Sequence, residues 1–230
     1  MRLPSFITNR TKGIPEGTQI SDPRDEYIRS CERQDFADLG GLWGVTGEKV
    51  SVVHRYGATA LTMGDIGNDW KAFEERCRSL GIPAVQCIKQ DILTLADEPN
   101  HPIYDVTHCS GVLYHLPNPM RLLEVLHKIT RRHVILTSCV TQTEIRSDRG
   151  SLHVPDGGAL FIPALKNKEL SIVRSYWANF LGPDNIAIGI TKPVEATHHK
   201  YDPWWWLFTV NTLKSMCSAA GFETVAGSYY

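Results

Sequence analysis

Residues 34–48 read Gln-Asp-Phe-Ala-Asp-Leu-Gly-Gly-Leu-Trp-Gly-Val-Thr-Gly-Glu, and this stretch decides the fold. Phe36 to Leu39 form an apolar strand end, and Gly40, Gly41 and Gly44 follow as a glycine-rich turn before a helix start. Glycines let the backbone turn sharply and approach a ligand closely, while a helix N-terminus offers unpaired N–H groups. A nucleotide-like cofactor suits such a turn, although the spacing differs from the GxGxxG of a dinucleotide site.

Outward from this unit the same rhythm continues. Residues 57–66 (GATALTMGDI) read as a second buried strand ending in an acid, and 68–81 (NDWKAFEERCRSLG) as an amphipathic helix closed by Gly81. Residues 83–92 (PAVQCIKQDI), 104–116 (YDVTHCSGVLYHL) and 132–140 (RHVILTSCV) read as the third to fifth strands, with a helix over 119–130 between the last two. A short helix is expected over 25–33, another over 209–222, and a final strand over 223–230. The alternation predicts an α/β, Rossmann-like, doubly wound and mostly parallel sheet with helices on both faces. Residues 1–23 read as an irregular arm, and 24–230 as one domain. Residues 140–206 are too long for an ordinary connection after the fifth strand and are expected to form a lid over the substrate pocket.

Two acids strengthen the cofactor reading. Asp65 ends the second strand, where a carboxylate can accept both hydroxyls of a ribose. Asp91 ends the third, where it is equally suited to an adenine amino group or to capping a helix.

Together, DLGGLWG (38–44), GDI (64–66), KQDIL (89–93) and SGVLYHLPNPMRLLEVL (110–126) resemble class I S-adenosylmethionine-dependent methyltransferases over roughly residues 35–140. The resemblance implies that S-adenosylmethionine binds and leaves as S-adenosylhomocysteine. It implies that Asp38 orients the glycine loop, that Gly40, Gly41 and Gly44 form it, and that Asp65 holds the ribose and Asp91 the adenine side. Ile66, Ile92, Ser110 and Tyr114 complete the implied cofactor set. Leu42 stands where many members carry another glycine, and Trp43 is a bulky neighbour. Residues 204–222 (WWWLFTVNTLKSMCSAAGF) also resemble the C-terminal part of methyltransferases acting on sugars or natural products, and of wobble-uridine tRNA-modifying relatives. In such relatives a further strand follows as an antiparallel hairpin, so the last strand of the sheet is expected to be missing or different here.

Methyl transfer depends on lining up an acceptor behind the methyl carbon, and a hydroxyl acceptor must also lose a proton. His115 is a candidate base, with a structural contact to the cofactor as its equal alternative. In the 140–206 stretch, His199 is a second candidate base, and His198, Trp204, Trp205 and Tyr114 are expected at the substrate; a solvated loop is the alternative for the histidines. Three consecutive tryptophans cannot all face one core, so at least one meets solvent, a partner or a substrate.

Composition narrows the partners. Lys plus Arg total 24 against 25 Asp plus Glu, for a formal net charge of -1, so attraction to nucleic acid is not expected. Arg131, Arg132, Arg146 and Arg149 form only a thin basic patch. The chain carries neither a secretory apolar core nor a run long enough to span a membrane, so a cytoplasmic location is expected. The six cysteines lack a CxxC pair, so no disulfide framework or metal site is expected. The expected activity is methyl transfer to a hydroxyl or amine of a small molecule, and a homodimer is compatible with the sequence. RNA methyl or carboxymethyl transfer, an inactive cofactor-binding subunit and an NAD-linked dehydrogenase are the alternatives.

Overall fold

A computed structural model describes residues 2–4, 23–30, 33–42, 47–67, 69–82, 84–181 and 204–226. Its elements run β1 (Arg2–Pro4), α1 (Pro23–Ser30), β2 (Asp35–Leu39), α2 (Glu48–Arg55), β3 (Ala60–Asp65), α3 (Trp70–Ser79), β4 (Gln86–Lys89), β5 (Tyr104–Ser110), α4 (Pro119–Ile129) and β6 (Thr130–Thr137). They continue with β7 (Glu144–Ser147), β8 (Gly150–His153), β9 (Ala159–Phe161), α5 (Asn167–Leu181), β10 (Trp206–Phe208), α6 (Val210–Ala219) and β11 (Thr224–Ala226). Short 3₁₀ turns cover Ile92–Thr94, Leu113–His115 and Ile162–Ala164.

Two compact units share the chain. The first comprises residues 1–111, 120–138 and 217–230, and the second residues 112–119 and 139–216. The first is built on a five-stranded sheet in the order β4-β3-β2-β5-β6, parallel throughout. This is the doubly wound sheet that the alternating pattern predicts. From β2 the chain winds outward through β3 to β4, then returns to the other side of β2 as β5. Right-handed crossovers therefore place α2 and α3 on one face and α4 on the other. On the first face Ile28, Val50, Val53, Phe73 and Trp70 pack with Phe36, Met63, Val106 and Ile135 in one core. The apolar stripe of α4, Leu122, Leu123, Leu126 and Ile129, is fully buried and belongs to a separate part of the interior.

Local chemistry explains the ends of these elements. The helix expected over 25–33 stops at Ser30, and Arg33 takes φ 57°, a left-handed conformation that no helix continues through. Gly81 (φ 65°) and Gly221 (φ 100°) lie just beyond α3 and α6, as the stop signals predict. Within the stretch read as an irregular arm, Arg2–Pro4 pairs in parallel with β11. That pairing joins the two ends of the chain, and three residues carry no periodicity from which to read it. β11 is thus not an antiparallel hairpin strand of the main sheet.

The second unit has its own core. β7 and β8 form an antiparallel hairpin and β9 pairs antiparallel with β10. Ile145, Val154, Ile162, Ile172, Val173, Trp177, Trp204 and Leu207 are buried together, so α5 and the two ribbons cover one another. No helix among the described residues is long and apolar enough to cross a membrane.

At the amino ends of β2 and β5, Arg131 donates from Nε to Asp105 (2.9 Å) and from Nη2 to Asp35 (2.8 Å), and Asp105 N–H bonds the Asp35 carboxylate. Burial pushes the Asp105 carboxyl up, but the Arg131 hydrogen bond, the Asp35 contact and the charges of Arg131 and Arg132 outweigh it and leave it below the usual range. A carboxyl lowered by folding stabilises the protein above its unfolded value, and that contribution is lost as pH falls through the folded value. Arg131 is half exposed, so Arg131→Ala is expected to destabilise the protein only slightly at neutral pH. The difference from wild type should shrink towards pH 3, as read by urea denaturation at both pH values.

Candidate cofactor site at the carboxyl ends of β2 and β3

Winding reverses between β2 and β5, and at such a switch point a parallel sheet leaves its strand ends open to a ligand. The glycine turn begins there. Gly40 adopts φ 83°, which favours glycine, and its N–H bonds Gly64 O of β3 at 2.8 Å. A Cβ on Gly41 would fall against the Asp38 carboxylate and 2.9 Å from Met63 Cε. The backbone closes the turn with Gly47 N–H donating to Gly41 O at 2.9 Å.

Asp65 pins this turn. Its Oδ2 accepts from Leu42 N–H (3.0 Å) and its Oδ1 from Gly67 N–H (2.7 Å), and the residue is 1% exposed. Both oxygens therefore serve the backbone. Ile66 follows as an exposed apolar side chain, 36% accessible.

Asp38 is 2% exposed at the carboxyl end of β2. Its register partner on β5 is His108, 3% exposed, with Nδ1 2.8 Å from Asp38 Oδ1. With Asp38 as the carboxylate, the bond takes Nδ1–H as its donor. His108 Nε2 is buried without a hydrogen-bond partner among the described residues, as is the Thr137 hydroxyl on β6. The parallel register puts His108, Ser110 and Thr137 on one face of the sheet. Ser110 accepts from Arg24 Nη1 at 3.2 Å.

Asp91 caps the Ile92–Thr94 turn, accepting from Leu93 N–H at 3.0 Å, and Ile92 is buried beneath it. Of the two readings open for Asp91, the capping bond is the one made in this structure. Asp38, Gly40, Gly41, Asp65 and Ile66 thus meet around one turn, while Asp91 and Ile92 stand at the end of β4 and Ser110 at the end of β5.

The remaining candidates belong to the second unit. The Tyr114 ring lies 4.5 Å from both the His115 and Trp204 rings, and Trp204 meets Trp177 edge-on at 5.1 Å. Burial pushes the Tyr114 phenol well above its ordinary value, and its hydrogen-bonded neighbour Cys139 raises it further. Burial also drives Cys139 to about 12, the Tyr114 hydrogen bond only partly opposing it. Both groups remain protonated at neutral pH, so Tyr114 offers a ring and a hydroxyl rather than a base. Trp204 is buried, whereas half-buried Trp205 stacks on Phe161 at 6.0 Å. Gly44, His198 and His199 lie outside the described residues.

Sequence reasoning missed His108 and Arg24. His108 carried a readable signal: a histidine two residues before Ser110 in the same strand, where alternation turns both to one face.

No family model and no curated protein matches the chain. Among solved structures, a candidate O-methyltransferase of Nostoc punctiforme is 15% identical with TM-score 0.55, over 87% of this chain and 49% of that one. An S-adenosylmethionine-dependent methyltransferase of Mesorhizobium loti is also 15% identical, with TM-score 0.48, over 86% of this chain and 79% of that one. This chain shares the Rossmann-like α/β fold of the Nostoc protein. It spans about half the length of the Nostoc protein.

Replacing Asp65 tests the pin. Asp65→Ala leaves two backbone donors without their acceptor and should lower unfolding free energy by about 1–3 kcal/mol for each that stays buried. Asp65→Asn retains a carbonyl oxygen and should cost visibly less, as compared by chemical denaturation of the two variants.

Proposed function

We propose that the chain is a methyltransferase that binds S-adenosylmethionine at the Gly40–Leu42 turn and methylates a hydroxyl or amine of a small molecule. The observation that carries this reading is the turn itself: it stands at the switch point of the methyltransferase fold, with Asp38 beneath it and Asp65 hydrogen-bonded to it. The donor set fits the cofactor. A Cβ at Gly41 would occupy the space by the carboxylate, two buried carboxylates suit a ligand bearing ammonium and sulfonium charges, and Ile66 offers an exposed apolar surface for a purine. When bound, S-adenosylmethionine supplies an electrophilic methyl group.

The chain's own residues would hold it there. Asp38 would face the cationic end, Asp65 would exchange the Leu42 N–H for ribose hydroxyls, and Ile66 would cover the adenine. His115 remains the candidate base, with Tyr114 and Trp204 as an aromatic wall for the acceptor.

The charge pattern supports a small acceptor over RNA. Arg131 and Arg132 lie within 3.5 Å of Asp105, Arg146 3.7 Å from Glu144 and Arg149 3.4 Å from Asp148, so the basic patch faces its own acids.

Calorimetric titration of the full chain with S-adenosylmethionine, and separately with NAD, tests the reading. Binding of the former alone is expected. Ile66→Lys, at an exposed position where stability should hold within about 0.5 kcal/mol, should weaken that binding about tenfold. Binding of NAD alone would replace the reading with a dehydrogenase.

A further inference from the structure

Asp38 and His108 are the most deeply buried ionisable pair at the strand ends, and their geometry is asymmetric. The imidazole reaches one carboxylate oxygen, Oδ1, while the carboxylate also lies directly beneath Gly41. A polar pair in this interior must be hydrogen-bonded, and apolar residues would fill the same space without that demand. His108 Nδ1 satisfies Asp38, yet Nε2 has no partner among the described residues, so the pairing serves the carboxylate and not the imidazole. The tautomer that fits carries its proton on Nδ1, because a proton on Nε2 would find no acceptor there. The choice of residue matters too: a lysine or arginine could hold the carboxylate equally well but would cancel its charge. An imidazole that donates from Nδ1 alone orients Asp38 and leaves its negative charge for a ligand.

We propose that His108 is a positioning residue: by donating from Nδ1 to Oδ1 it fixes the Asp38 carboxylate against the Gly40–Leu42 turn, presenting an uncancelled negative charge to a cationic, amino-acid-like ligand group. This rests on the reading that the turn binds S-adenosylmethionine, whose ammonium and sulfonium supply that cationic group. Phe36 lies nearly parallel to the imidazole, with centroids 6.4 Å apart and planes 18° from parallel.

The test compares the full-length wild type with His108→Asn, His108→Gln and His108→Leu. Asparagine places a donor where Nδ1 stands, glutamine places it near the Nε2 position, and leucine keeps the bulk without a donor. In calorimetric titration with S-adenosylmethionine, the asparagine variant is expected to stay within about threefold of wild type, while glutamine and leucine lose about tenfold or more. Equal losses in the asparagine and leucine variants, or none in leucine, would overturn the proposal. On unliganded wild type, nitrogen NMR of the imidazole should report the tautomer protonated on Nδ1, and the Nε2 tautomer would equally overturn it. If wild type binds no S-adenosylmethionine, the functional reading fails by itself, and the tautomer still decides whether His108 donates to Asp38.

Discussion

Parallel strands cannot be joined by hairpins, so every connection in this sheet is a crossover, and the place where winding reverses has no connection above it. That place lies between β2 and β5, and much of the first unit is organised to hold those two strands together. At their amino ends Asp35, Asp105 and Arg131 form a partly exposed ionic knot. At their carboxyl ends the pairing is between Asp38 and His108, out of water. The solvated knot contributes little net energy and mainly sets register. The buried pair leaves polar atoms in a low-dielectric interior, at a cost that apolar residues filling the same space would not incur.

The glycine turn follows from the same constraint. Its backbone must pass over a carboxylate, which leaves no space for a side chain at Gly41 and asks for positive φ at Gly40. Leu42 is tolerated because its side chain turns inward, 5% exposed, and joins the core with Val50, Val53 and Phe73. A leucine at a position often held by glycine therefore adds apolar burial, while its N–H remains available to Asp65. The turn is held from below by Asp38 and from the side by Asp65.

In the second unit the three consecutive tryptophans divide, and of the three Trp206 alone lies within β10. Trp204 faces inward against Tyr114 and Trp177, whereas half-buried Trp205 stacks on Phe161 and Trp206 meets the same ring at a tilt. Trp205 N–H donates to Tyr114 O at 2.8 Å, which ties the Leu113–His115 turn to the start of β10. His115, read as a candidate base, and Tyr114, read as a cofactor and substrate contact, thus belong to an aromatic cluster with Trp204 and Trp177.

The sequence by itself determined the sheet, because burial on both faces leaves apolar runs ending in acids, and because amphipathic helices with glycine stops carry a period that neighbouring residues fix among themselves. It likewise marked Gly40, Gly41 and Asp65, whose spacing within consecutive strand–turn–helix units is a local property, and Asp38 through the resemblance of that motif. Only the tertiary structure decided what each acid bonds. Asp65 turned out to hold Leu42 and Gly67, Asp91 to cap its own turn, and Asp38 to meet His108, 70 positions away in the chain. The Gly67 and Leu93 partners lie two residues from their acids, whereas strand register sets the Asp38–His108 pair and the pairing of Arg2–Pro4 with Thr224–Ala226: contacts between residues so far apart in sequence leave no local pattern from which they could be read.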